Sequence, residues 1–328
     1  MDAYFDFNSL LSLIHSANDD RYHDCMRMIQ DNFTIKFTFR KESIAEANKD
    51  DREDIMQWFT NMASGSGDVK WDSLFPENPI KMDDIKKYPN NSAVYCLDET
   101  VREDLDKLID KGIVIVGKTG TELNLLSNLH FNTQYIKNIF HNINSWDCIK
   151  DYISPCSDII IVDQFILAIP ELYESNLYTL VKCLSEKCNR NEKINIVIVT
   201  LKKVYDKIAH QYYEPDWDEI YSEMRQRINP KNRPNITFVT VSGKKFEHDR
   251  SIFTNYKTFS SGDTYNYFNS KGDKITHGRY MYVHSLANKD NVEDARRLLN
   301  DIQVLINRIK LLNPDNIKKD MKCNFLTF

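Results

Sequence analysis

The chain has 328 residues, 41% of them hydrophobic, which is ample for a large core or two domains, and its length favours two. Acidic residues number 48 against 43 basic, a formal net charge of −5, which excludes a protein that coats nucleic acid by bulk electrostatics. Seven cysteines, odd in number and without a C-x-x-C pair, argue against a disulfide framework or a zinc site and fit a reducing cytoplasm.

The N-terminal segment MDAYFDFNSLLSLIHSANDD carries acids where a targeting leader has cations, and no apolar run reaches the length of a membrane span. A soluble, cytoplasmic chain with no membrane partner is expected. Residues 7 to 30 read as an amphipathic helix, with Leu10, Leu13, Ile14, Cys25, Met28 and Ile29 on compatible faces. FTIKFTF at 33 to 39 alternates as a strand, and a helix over 42 to 63 is ended by SGSG at 64 to 67. AVYCLD is a short strand, ETVREDLDKLIDKG a helix closed by Gly112, and IVIVGK another strand. Residues 1–140 are therefore expected to form an α/β domain. Within it, GIVIVGKT at 112 to 119 satisfies G-x4-G-K-[ST], but a phosphate-cradling loop must follow its strand, and here the variable positions are the strand.

AYFDFNSLL at 3 to 11 is a short strand ending in an acid, then Asn and a helix, and Glu46 follows the strand at 33 to 39 in FRKESIAEAN. These segments resemble the opening of PIN-like nucleases. The resemblance implies Asp6 and Glu46 as metal carboxylates and Mg²⁺ or Mn²⁺ as cofactor, because hard cations that activate water need converging oxygen ligands. Asp98 and Asp163 are candidates for a third acid, without the surrounding family pattern. Asp6 reads equally as the cap of the first helix, where an acid meets exposed backbone N–H groups.

Residues 128 to 157 are polar, aromatic-rich and weakly periodic, and read as a boundary. Beyond it, Ile159, Ile160, Ile161 and Val162 form an unbroken apolar run, as in a strand buried on both faces. Leu177, Leu180, Val181 and Leu184 recur at helical spacing, and Ile194, Ile196, Ile198 and Val199 begin a second buried strand, completing a β-α-β unit.

FEHDRSIFTNYKTFSSG at 246 to 262 is the most informative stretch. On a strand His248 and Arg250 share a face while Asp249 points away, which sets an imidazole beside a guanidinium. Imidazole is a nucleophile or acid/base near neutral pH, and Arg forks onto phosphate oxygens. Arg225, Arg227, Lys231, Arg233, Lys244, Lys245 and Lys257 crowd the same region, where an anion site calls for cations. A second His-x-Arg, His277 and Arg279 in THGRYMYVHS, lies beyond a turn at Lys271 and Gly272. Tyr256, Tyr265, Tyr267, Phe268, Tyr280 and Tyr282 cluster nearby, available for stacking on bases or simply favoured in strands. The segment 290 to 312 reads as a packing helix.

His248, Arg250 and Asn255 read as H-x-R-x4-N, followed by Ser260, Ser261 and Gly262. This resembles a relaxed form of the phospholipase D pattern H-x-K-x4-D with Gly-Ser, and in particular the H-D-R variant in the domain that follows MIT domains and in related bacterial proteins. Residues 150 to 287 carry the resemblance, with Asp163 and Phe165 ending its first strand. It implies a phospholipase-D-like sheet flanked by helices within a domain of residues 150–328, His248 as nucleophile, Arg250 as phosphate anchor, and Asn255 and Ser261 completing the catalytic set. Lys244, Lys245 and Arg279 are the accompanying phosphate-binding candidates. Asn255 departs from the family's Asp and cannot support an imidazolium as a carboxylate would. The family normally pairs two such motifs and this chain has one credible copy, so a homodimer or protein partner is a further expectation. No cofactor is needed on this reading.

Three functions follow. The chain binds nucleic-acid phosphodiesters, with or without cleaving them, in a bacterial setting such as defence against phage; or it is a non-catalytic phosphate or lipid-headgroup module that recruits a partner; or it is a metal-dependent PIN-like ribonuclease. Metal dependence separates the first from the third and turnover the first from the second.

Overall fold

The computed structural model describes residues 2–63, 68–71, 93–97, 112–116, 136–153, 156–186, 194–206, 210–228, 234–242, 250–275 and 280–319. They form a mixed α/β structure in two units, Met1–Tyr135 with Ser285–Glu293, and Ile136–His284 with Asp294–Phe328.

In the first unit the strands are β1 (Asp2–Phe5), β2 (Thr34–Phe37), β3 (Asp68–Trp71), β4 (Ala93–Leu97) and β5 (Gly112–Val116). Every pairing is parallel, in the order β3-β2-β1-β4-β5. Parallel strands need crossovers, and the sequence supplies α1 (Phe7–His15) and α2 (Asp20–Asn32) after β1, then α3 (Lys41–Glu46) and α4 (Lys49–Met62) after β2. The single helices expected over 7 to 30 and 42 to 63 are each split. Ser16 ends α1, its hydroxyl bonding back to Ser12 O at 2.8 Å, and Asn48 caps α4 by accepting from Asp51 N at 2.9 Å. Short polar side chains that bond their own backbone compete with a continuous helix. Gly112, expected to close a helix, is the first residue of β5; the rest of that expected helix, over 99 to 111, lies outside the described residues.

The second unit holds an eight-stranded mixed sheet. Its strands are β6 (Ile136–Asn138), β7 (Asp158–Val162), β8 (Asn195–Leu201), β11 (Asn235–Val241), β12 (Arg250–Phe253), β13 (Lys257–Ser261), β14 (Met281–Ser285) and β15 (Ile317–Lys318), in the order β15-β11-β8-β7-β12-β13-β14-β6. A small hairpin, β9 (Val204–Asp206) with β10 (Gln211–Tyr213), stands apart from it. β7, β8 and β11 are parallel neighbours buried along nearly their whole length, as expected of strands covered on both faces, and β12 runs antiparallel beside β7 with Ser251 opposite Val162. The helices are α5 (Thr179–Glu186), entered through a π-helical turn over Glu174–Tyr178, α6 (Trp217–Arg227) and α7 (Lys289–Leu312). Among the described residues no helix is long and apolar enough to cross a membrane.

The two units divide between residues 135 and 136, inside the window 128 to 157, and the residues from 136 onward belong to the second unit. β6 pairs with β14, and Phe140, Ile143, Trp146 and Ile149 are buried. Trp146 stacks on Tyr267 with ring centroids 5.4 Å apart. The aromatic content of this segment is therefore core, a role that a weakly periodic stretch of short turns does not announce.

Candidate functional site

In the second unit, the carboxyl end of β7 gathers the residues that carry chemistry. The chain leaves the strand at Asp163, whose N–H donates to Val199 O at 3.0 Å. The Asp163 side chain is 1% exposed. Its carboxylate accepts from Phe165 N at 2.9 Å, Thr264 Oγ1 at 2.8 Å and Tyr265 N at 2.7 Å, and so ties the loop after β7 to the segment after β13. Burial pushes this carboxyl up to about 6, against the pull of the Tyr265 and Phe165 amides, the Thr264 hydroxyl and the Arg250 guanidinium. Asn176 fixes the same segment from the other side, accepting from Phe268 N at 2.9 Å and donating to Phe268 O at 2.8 Å.

Arg250 opens β12, and the Ser251–Val162 register places it at this end of the sheet. The guanidinium is half-buried, donates from Nη1 to Gly262 O at 3.3 Å and lies 5.6 Å from the Phe165 ring centroid. A cation held over a ring face is favourably placed and pre-oriented. Gly262 lies close against the Tyr280 ring, and a Cβ there would come within 2.5 Å of it, so a larger residue would displace that ring.

Of the expected catalytic set, Arg250 and Ser261 face each other across the β12–β13 register. The Ser261 hydroxyl, however, is buried, donating to Asp263 O and lying 2.6 Å from the Tyr267 hydroxyl, so it serves the turn. Asn255 is not brought to them. β12 runs only from Arg250 to Phe253, about 10 Å, before the chain reverses, and Asn255 stands at the opposite end of the hairpin. There its Oδ1 accepts from Ser157 N at 2.8 Å and Asp158 N at 3.3 Å, covering the amino-terminal end of β7. His248, Lys244, Lys245, His277 and Arg279 lie outside the described residues.

The surrounding cations and rings are also reassigned. Arg227 is paired with Glu174 and Glu223 and sits 4.6 Å from the Tyr178 centroid, while Lys257 is 1% exposed. Tyr256, Tyr265, Tyr267 and Phe268 are buried, which removes four of the six rings expected to meet bases. Two features carry no local signal in the sequence. Ser260 Oγ lies 3.0 Å from His284 Nε2 on the neighbouring strand, with burial lowering the imidazole below its ordinary value against the pull of Asp294. The β9–β10 hairpin exposes Tyr205 and Tyr212.

In the first unit, Asp6 follows β1 at the point where the strand order turns from β2 to β4, the crevice where open parallel sheets bind ligands. It is 1% exposed and accepts from Ser9 N at 2.8 Å as the cap of α1. Glu46 is exposed at the last turn of α3, and Asp98 lies outside the described residues. Among the described residues no three acidic, histidine or cysteine side chains come together to hold a metal.

No family model matches this chain, and no curated protein or solved structure matches it either.

Proposed function

We propose that the second unit is a phospholipase-D-like module that binds nucleic-acid phosphodiesters, with Arg250 as its phosphate anchor. The observation that carries the reading is the position of Arg250. A half-exposed guanidinium, oriented by Gly262 O and the Phe165 ring, stands at the carboxyl end of β7, the end of a parallel strand at which such sheets receive ligands. The guanidinium fork suits phosphate oxygens. Binding is favoured over turnover, because Ser261 is committed to its turn and Asn255 to the far end of β7. Cleavage would fall to His248, which precedes Arg250 by two residues in the sequence.

Arg250→Ala is expected to weaken binding of a fluorescein-labelled oligonucleotide, duplex or single-stranded, by about 1–3 kcal/mol, through loss of charge-assisted hydrogen bonds. Fluorescence anisotropy at two salt concentrations measures it, with circular dichroism confirming the fold. Unchanged affinity would remove Arg250 from the function.

A second reading is favoured by the all-parallel order of the first unit and by the buried Asp6 at its strand-order reversal: a PIN-like nuclease domain. It requires nuclease activity that depends on Mg²⁺ or Mn²⁺, is lost in Asp6→Asn and tolerates Arg250→Ala.

A further inference from the structure

The large apolar side chains that the second unit leaves in solvent are unevenly placed. Among the described residues of that unit they are Val304, Leu311 and Leu312 on α7, and otherwise Phe165, Ile169, Tyr205, Tyr212 and Tyr280. Those five belong to one end of the sheet. Phe165 and Ile169 lie in the loop that leaves the carboxyl end of β7. Tyr205 and Tyr212 lie on the β9–β10 hairpin, which follows the carboxyl end of the parallel neighbour β8 by two residues. Tyr280 precedes β14 and packs against Gly262, the residue whose carbonyl holds Arg250.

The loop and hairpin are also joined. Tyr173 donates from its hydroxyl to Leu167 O at 2.8 Å, and the same hydroxyl interacts with the Tyr213 hydroxyl of β10. The hairpin is anchored by buried Val204, and its two outer rings pack on each other with centroids 5.1 Å apart. Tyr212 is 69% exposed. A ring that solvated gains little for the fold, since its apolar face is left in water. Lys203 is exposed beside the hairpin, and Lys202 is oriented by Asn316 Oδ1 at 2.8 Å.

We infer that this rim is a stacking platform for a single-stranded nucleic acid, whose backbone is held at Arg250 and whose unpaired bases lie on Phe165, Tyr205, Tyr212 and Tyr280. The inference rests on the phosphodiester-binding reading and adds the strandedness of the ligand. Single strands are bound without sequence preference by combining cations that track the backbone with aromatic faces that accept any base. In a duplex the base faces are already stacked, so rings of this kind have nothing to gain there. A tyrosine hydroxyl is not required for stacking, which makes the ring face separable from the rest of the side chain.

The test uses the full chain, a fluorescein-labelled oligothymidylate, a duplex of the same length and anionic phospholipid vesicles. The single strand is expected to bind more tightly than the duplex. Tyr212→Ala and Tyr205→Ala are expected to weaken the single strand about five- to a hundredfold each while leaving the duplex unchanged, and Tyr212→Phe is expected to bind as the parent does. Arg250→Ala should weaken both nucleic acids. If both tyrosine-to-alanine variants bind the single strand as the parent does while Arg250→Ala still weakens it, the platform is overturned and the phosphodiester reading stands. Loss of binding in Tyr212→Phe, or tyrosine-dependent binding to the vesicles with none to the single strand, overturns the platform as well. If Arg250→Ala changes nothing, the reading beneath it fails.

Discussion

Replacing Lys257 by methionine is expected to stabilise the protein by about 1–4 kcal/mol at pH 7, because the substitution removes a buried amine and keeps a side chain of similar length. Lys257 begins β13 on the buried face shared with Phe259 and Ser261. Burial pushes its amine down to about 7. The folded state therefore holds fewer protons at this group than the unfolded chain between about pH 7 and the ordinary lysine value of 10.5. Stability from this group is present above that window and is lost as pH falls through 7. Urea denaturation at pH 7 and pH 9 should show the parent gaining about 2 kcal/mol on the alkaline side, a rise that Lys257→Met abolishes. A variant less stable than the parent at both pH values would contradict this account of the residue.

Asp163→Ala is expected to destabilise the second unit by about 3–5 kcal/mol, since it leaves the buried Tyr265 amide and the part-buried Phe165 amide without their acceptor and releases Thr264. The same loss loosens the loops that position Arg250, so affinity for an oligonucleotide should fall with stability. Its pH signature runs opposite to that of Lys257. The carboxyl is raised to about 6 in the fold, so stability from this group is present below the ordinary value of 3.8 and is lost as pH rises through 6. Asp163→Asn, which has no proton to exchange, should remove that slope in denaturation series between pH 4 and pH 7. Thermal denaturation of Asp163→Ala indistinguishable from the parent would contradict the tie between the two loops.

Much of the second sheet was legible because burial on both faces leaves a simple trace. The runs at Ile159–Val162 and Ile196–Val199 lack alternation, and the two strands are parallel neighbours near the centre of one sheet with β12 beside β7. The alternating FTIKFTF likewise yields β2 in the first unit. What a linear motif did not convey is chain reversal. H-x-R-x4-N places Asn255 five residues from Arg250, and a turn residue between two strand-like runs, RSIF and KTFSS, carries it to the other end of β7. Thr-Asn-Tyr between those runs was the available signal. The buried Lys257 looked like one more cation in a basic cluster, because formal charge says nothing of which face of a strand a residue occupies. The pairs Ser260–His284, Trp146–Tyr267 and Asp163–Tyr265 join segments distant in sequence, and no local spacing encodes them. The exposed rings of the β9–β10 hairpin were unremarked for a related reason: exposure is a property of the fold.

Hydrogen–deuterium exchange of the parent chain, with and without saturating oligothymidylate, addresses the central claim most directly, because it reports which unit meets the ligand. Binding at the Arg250 rim predicts slowed exchange in residues 163–169, 250–253 and 261–267, with residues 5–14 of the first unit unchanged. Slowed exchange confined to residues 5–14 and the neighbouring strand ends around Thr38, with no change at 163–169 or 250–253, would contradict it and place nucleic-acid binding in the first unit.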